Sequence, residues 1–179
     1  MTFGTGMQPI SKVTMGQIVG LLKAIDEVGG EADVAEIGRT VEMDLDSIGH
    51  VVDASEFLGL ARAQEGELTI TDLGRKVLTA GLRQRKALVR DIIRSLPVFQ
   101  GLMDRLVAAG RPLQRQEVLA AIERHIGSHD APTLFNALVT WGRYVELLNY
   151  DSRSELLALR MPTPLVAAAP PPAQPTPPE

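Results

Sequence analysis

Three histidines, His50, His125 and His129, are the side chains best suited to hold a metal. His125 and His129 stand four apart, the spacing that puts two ligands on one helix face. Gly127-Ser128 falls between them and breaks that helix. The chain has no cysteine, so no thiolate can complete a ligand set and no disulfide can form. Glu123 and Asp130 read as helix-end acids, and no metal site is expected. Nucleophilic chemistry fares no better. The serines Ser11, Ser47, Ser55, Ser95, Ser128, Ser152 and Ser154 fall mostly at helix ends and turns, where capping accounts for them, and no G-x-S-x-G string is present. Carboxylates abound in the first half of the chain, on faces that read as solvated. A phosphate loop, G-x-x-x-x-G-K-[ST], is missing, and Gly29-Gly30 precedes acidic residues, the wrong field for a phosphate. No G-x-G-x-x-G fingerprint appears. These readings predict a chain that is not an enzyme and needs no cofactor.

The remaining chemistry is charge. Residues 1–81 carry six Lys and Arg against thirteen Asp and Glu, whereas residues 82–160 carry twelve against eight. An acidic half and a basic half predict two modules. The basic half opens with Arg83, Arg85, Lys86, Arg90 and Arg94, a cluster able to meet an acidic partner, and these five are the expected partner-binding residues.

The elements that would carry these charges follow from periodicity and punctuation. Met15, Ile18, Leu22 and Ile25 predict a first helix, stopped by Gly29-Gly30. Asp33 and Glu36 have capping-box spacing for a short helix with Val34, Ile37 and Val41. Asp44 predicts the cap of a third helix with Leu45, Ile48, Val52 and Leu58, ended by Gly59 in the left-handed C′ position. A hairpin follows, Leu60–Gln64 and Glu67–Ile70 about Glu65-Gly66. Thr71 caps a last helix of this module. In the second module, Leu82–Leu96 is a helix halted by Pro97. Phe99, Leu102 and Leu106 mark the next, as far as Gly110. Val118, Leu119, Ile122 and Ile126 mark another, as far as Gly127. Asp130 and Pro132 open a helix lined by Leu134, Leu138, Trp141 and Val145. A second hairpin, Leu147–Tyr150 and Glu155–Leu159, closes the module. The expected fold is therefore mainly α with two small β-hairpins, in tandem winged-helix-like modules over residues 9–81 and 82–160. Residues 1–8 are expected to be flexible. Eight of the twelve prolines lie in 161–179, which predicts a disordered, polyproline-like tail.

Partners can be sorted by the same features. About 45% of residues are hydrophobic, enough for a buried core, yet no run approaches the ~20 apolar residues of a spanning helix. The N-terminus lacks the basic start and apolar stretch of a signal peptide. A cytoplasmic location with no direct membrane insertion is expected. A winged-helix DNA-binding regulator is the alternative function. The helix that would enter the groove, Asp44–Leu58, carries Asp44, Asp46, Asp53 and Glu56 and no Lys or Arg, so phosphate repulsion disfavours nucleic acid.

A family resemblance sharpens the picture. Trp141-Gly142-Arg143-Tyr144, then Val145-Glu146-Leu147-Leu148 and Asn149-Tyr150-Asp151, resembles the closing signature of the AAA-associated C-terminal domain. Gly16–Leu22 with Gly29-Gly30 resembles its opening helix, and Phe57-Leu58-Gly59-Leu60, Leu68-Thr69-Ile70-Thr71 and Gly74-Arg75 resemble its middle. The resemblance spans residues 9–160. It implies a non-catalytic, regulatory module of the kind that follows the ATPase domain of nitrate, sulfonate, taurine or bicarbonate ABC importers, with the ATP-binding subunit as partner and homo-oligomers as a further option. Here Met1 opens directly into the accessory domain, which implies action on a separate ATPase or a split product. On the residues alone, Trp141 is expected in the core, Gly142 at a close helix approach, and Arg143 and Tyr144 as polar ties between helix and hairpin.

Overall fold

The computed structural model describes residues 9–126 and 130–160. Residues 1–8, the tail 161–179 and the Gly127–His129 stretch lie outside them, and with these the expectations of a flexible start, a disordered tail and a helix break at Gly127-Ser128.

Helix α1 (Met15–Glu27) buries Met15, Ile18, Leu21, Leu22 and Ile25 on one stripe. Its start is a capping box at Thr14 and Gln17, which periodicity alone did not disclose. Strand β1 (Glu31–Asp33) follows, then α2 (Val34–Thr40), whose Asp33 Oδ1 accepts from the Ala35 and Glu36 amides. Asp44 caps α3 (Leu45–Phe57) through the Ser47 amide at 2.8 Å. Strands β2 (Ala61–Gln64) and β3 (Glu67–Ile70) form the expected hairpin, and Thr71 caps α4 (Asp72–Thr79). The basic helix α5 (Leu82–Ser95) and α6 (Pro97–Ala109) meet at Leu96, with Pro97 in the first position of α6 where a missing N–H costs nothing. Strand β4 (Leu113–Gln114), α7 (Arg115–Ile126), α8 (Ala131–Tyr144), β5 (Leu148–Asp151) and β6 (Leu156–Leu159) complete the described chain. Asp130 precedes α8 but makes no side-chain cap bond.

The fold is mainly helical with two small sheets, as expected, but each sheet has three strands instead of two. Strand order is β1-β3-β2 in one and β4-β6-β5 in the other, all antiparallel. The added strands β1 and β4 are three and two residues long, too short for alternation to signal. Leu68 faces Ala32 on one side and Ala63 on the other; Leu157 faces Leu113 and Tyr150 in the same way. The succession helix, strand, helix, helix, hairpin thus occurs twice, as α1-β1-α2-α3-β2-β3 and as α6-β4-α7-α8-β5-β6.

The halves share one continuous core, which runs from Ile10 through Leu22, Ile48 and Leu68 to Phe99, Trp141 and Leu157. Helix α5 spans the boundary and packs on α4, α6 and α8. It turns Val89 and Ile93 fully inward, with Leu88 and Ile92 partly buried beside them. No helix among the described residues is long and apolar enough to cross a membrane.

Candidate functional site

The basic helix is where the sequence placed partner binding, and three of its five cations are engaged inside the molecule. Arg85 reaches back to the end of α4. Its guanidinium donates to the carbonyls of Val77 at 2.9 Å, Leu78 at 3.0 Å and Ala80 at 3.2 Å. The last carbonyls of a helix have no partners within it, and a cation there also meets the negative end of the helix dipole. Lys86 and Arg90, one and two turns away from the start of α5, do the same for α8 in the other half. Lys86 Nζ donates to Glu146 Oε1 at 2.9 Å, and Arg90 Nε donates to the Val145 carbonyl at 2.6 Å, with its Nη2 3.7 Å from Glu146 Oε2. The Lys86 hydrogen bond, then its charge, holds the Glu146 carboxyl below its ordinary value of 4.5. Lys86 also lies 6.0 Å from the centre of the Tyr144 ring, and burial pushes that phenol up. Helix α5 is therefore a double cap, closing α4 through Arg85 and α8 through Arg90, with Lys86 holding the carboxylate of the residue that follows α8's last cap. Arg83 and Arg94 are exposed and make no hydrogen bond or ion pair among the described residues. Eleven residues apart, they fall on one face of α5, separated by about three turns.

The signature Trp141-Gly142-Arg143-Tyr144 separates into three kinds of work. Trp141 is buried at 2% exposure, and its Nε1 donates to the Ile10 carbonyl at 3.0 Å, tying α8 to the segment before α1. Its ring meets Tyr144 edge-on at 6.5 Å. Gly142 lies where α8 touches the first residue of β5; a Cβ there would fall 2.7 Å from Leu148 Cγ. Arg143 does not form the expected tie to the hairpin: it is exposed and has no partner among the described residues. A similar approach occurs in the first half, where a Cβ on Gly74 would overlap the Leu60 carbonyl oxygen. Arg75, beside it, lies against Gly30 and pairs with Asp26, so the Gly-Arg pair fastens α4 to the end of α1.

No group of three or more His, Asp or Glu among the described residues could hold a metal. An open hollow of about 360 Å³ lies among Glu56, Gly59, Ala61, Arg62, Thr71 and Asp72. Glu56 is occupied there, its Oε1 accepting from the Ala63 amide at 2.6 Å, and Thr71 is occupied by the Gly59 and Leu60 carbonyls. The exposed side chains of α3 include Asp46, His50, Asp53 and Glu56, so the acidic face read from the sequence is a true surface. The interface residue missed by sequence reasoning is Glu146. Its backbone is left-handed, at φ 61°, a conformation no side-chain periodicity reveals.

The model of the C-terminal AAA-associated domain family matches residues 35–151, from α2 through β5. That span is well over half the chain, and the protein belongs to this family, an accessory domain associated with ATPases. The middle and closing motifs lie within the match; Gly16–Leu22 and Gly29-Gly30 precede it. No curated protein and no solved structure matches the chain.

Proposed function

We propose that this chain is a non-catalytic accessory module that acts by binding an ATP-hydrolysing subunit, in the manner of the regulatory domains of ABC importers. Membership of the AAA-associated family carries this reading. The arrangement of side chains agrees with it: arginines and carboxylates are spent on closing helix ends rather than on converging upon a substrate. The element order of each half agrees with a winged-helix reading, in which the modules serve as a scaffold. The acidic face of α3 argues against the DNA-binding alternative, because each phosphate contact needs a cation. The protein works at the inner face of the membrane through its partner, without entering the bilayer itself.

Association with such a subunit is sped by electrostatic attraction between complementary surfaces. On α5 that attraction falls to Arg83 and Arg94, because Arg85, Lys86 and Arg90 are committed internally. The test is association with purified ATP-binding subunits across ionic strength. Arg83→Glu with Arg94→Glu leaves the melting temperature unchanged and slows association, with a weaker salt dependence. If the wild-type chain binds no such subunit even at low salt, the reading fails. Calorimetry with ATP is expected to show no stoichiometric binding to the chain alone; tight binding would overturn the non-catalytic reading.

A further inference from the structure

Strand β5 is an edge strand, and one comparison shows that its edge is open among the described residues. Helices α3 and α8 end in the same way. The C′ amide of each bonds to the carbonyl three residues back, Gly59 to Glu56 and Glu146 to Arg143, and the next amide bonds to the carbonyl five back, Leu60 to Ser55 and Leu147 to Gly142. Four residues beyond the C′ position stand Ala63 in β2 and Tyr150 in β5, which face Leu68 and Leu157. Paired residues alternate along an antiparallel ladder between hydrogen-bonded and non-bonded pairs. Counting from each hairpin's closing pair, Gln64 with Glu67 and Asp151 with Leu156, both Ala63 and Tyr150 turn their amide and carbonyl outward.

In the first half that outward amide is blocked. Glu56 bonds to it, a side-chain acceptor that closes the edge against a further strand. In the second half the matching helix position holds Arg143. Arginine has no acceptor, and the outward Tyr150 amide has no partner among the described residues. The strand is nonetheless firmly held, with the Tyr150 ring edge-on to Phe135 at 5.4 Å. The surroundings are positive. Arg143, Arg153 and Arg160 are exposed about the strand, and Arg160 is anchored by its amide to the Leu147 carbonyl. Of the nearby acids Glu146 is paired with Lys86, while Asp151 is fixed toward the turn by the Arg153 amide and the Ser154 hydroxyl and keeps its charge, so the three arginines outnumber Asp151 and Glu155. Glu155 is exposed beyond the turn.

We infer that β5 is a docking edge for an extended, acidic segment of a partner protein, which adds as a fourth strand and sets a carboxylate against Arg143. Main-chain pairing through Tyr150 supplies the attachment, and the arginines select the charge. This inference stands independently of the ATPase reading.

The test is an NMR titration of the full ¹⁵N-labelled chain with an N-acetylated, C-amidated pentapeptide alternating glutamate and valine. The Tyr150 amide shifts with added peptide, and its hydrogen exchange slows at least tenfold at saturation. A lysine and valine peptide of the same pattern binds at least tenfold more weakly. Arg143→Glu gives this half the carboxylate of the other; it protects the Tyr150 amide in the free protein and weakens peptide binding at least tenfold. Arg143→Met, which adds neither charge nor acceptor, folds as wild type and narrows the preference between the two peptides. The inference is overturned if the glutamate peptide leaves Tyr150 unmoved, if both peptides bind wild type equally, or if Tyr150 shifts with protein concentration alone, which would make a second copy the occupant.

Discussion

The two halves build one geometry from different residues, and the difference separates what a fold requires from what a sequence chooses. Helix α3 ends on Gly59 at φ 70°, helix α8 on Glu146 at φ 61°. Glycine reaches the left-handed region without steric cost, whereas any side chain with a Cβ is strained there by about 1–2 kcal/mol. The second half tolerates the strain because Glu146 brings a carboxylate to Lys86 and Arg90. Backbone freedom closes one helix and charge closes the other. The same substitution of means appears one turn earlier. Counting back from each C′ residue, the position of Trp141 in α8 is that of Ala54 in α3, both buried. The larger side chain in the second half reaches across to Ile10 and joins the two halves there.

The largest test of this asymmetry is Trp141→Ala, which gives α8 the residue of α3. Truncating a core tryptophan costs about 3–5 kcal/mol, and here the Ile10 carbonyl also loses its donor. Denaturant unfolding is expected to show a loss at least at the upper part of that range. A loss below 1 kcal/mol would mean the core collapses around the gap and the halves are not coupled through this residue.

Next come the two close approaches. Gly74→Ala drives a methyl into the Leu60 backbone, which cannot yield, whereas Gly142→Ala meets the Leu148 side chain, whose outer carbons can rotate away while its Cβ, 2.9 Å off, needs only a small shift of the strand. Overpacking costs roughly 1–3 kcal/mol; Gly74→Ala belongs at the upper end and Gly142→Ala at the lower. Thermal melts of the pair check the order, and equal losses would contradict it.

The helix ends give smaller effects. Gly59→Ala strains the left-handed position without any offsetting contact and costs about 1 kcal/mol. Glu146→Gly relieves similar strain but gives up partly exposed ion pairs worth at most ~1 kcal/mol, so its net change stays within about 0.5 kcal/mol. A clear loss in Glu146→Gly would show that charge does more than balance strain.

Smallest is the acid dependence. The folded carboxyl of Glu146 is held below its ordinary 4.5. Its contribution is complete above that ordinary value and disappears as pH falls through the lower folded value. Melting temperature therefore falls less steeply below pH 4.5 in Glu146→Gln than in wild type. An unchanged slope would assign the acid sensitivity to other carboxyls, among them Glu117, held down to about 2 chiefly by its hydrogen bond with Arg111.

What could be read beforehand follows from how local each signal is. Helix caps at Asp33, Asp44 and Thr71 depend on a side chain and amides two or three residues away, and all three were legible. The stops at Gly59 and Gly110 were legible for the same reason. Strands β1 and β4 exist because β3 and β6 offer them a free edge, a fact belonging to the sheet and not to Glu31–Asp33 or Leu113–Gln114. The basic cluster was visible as charge, but its division was not. Whether Arg85 reaches the Val77 carbonyl or solvent is decided by where α4 ends in space. Glu146 was hidden because nothing in its type marks a left-handed residue. Trp141 was legible as core, though its partner at Ile10 was not.

The bond from Trp141 to Ile10 also sets an order in time. It joins residues 131 apart in the chain. A ribosome adding about 5–20 residues per second needs on the order of 10 s to cover that distance. Throughout that interval the first half has its own helices and sheet but lacks the indole that secures the segment leading into α1. The protein thus reaches its most stable state only after α8 has left the exit tunnel. Until then the Ile10 carbonyl lacks its donor, and the first half waits on α8 for the bond that secures the segment before α1.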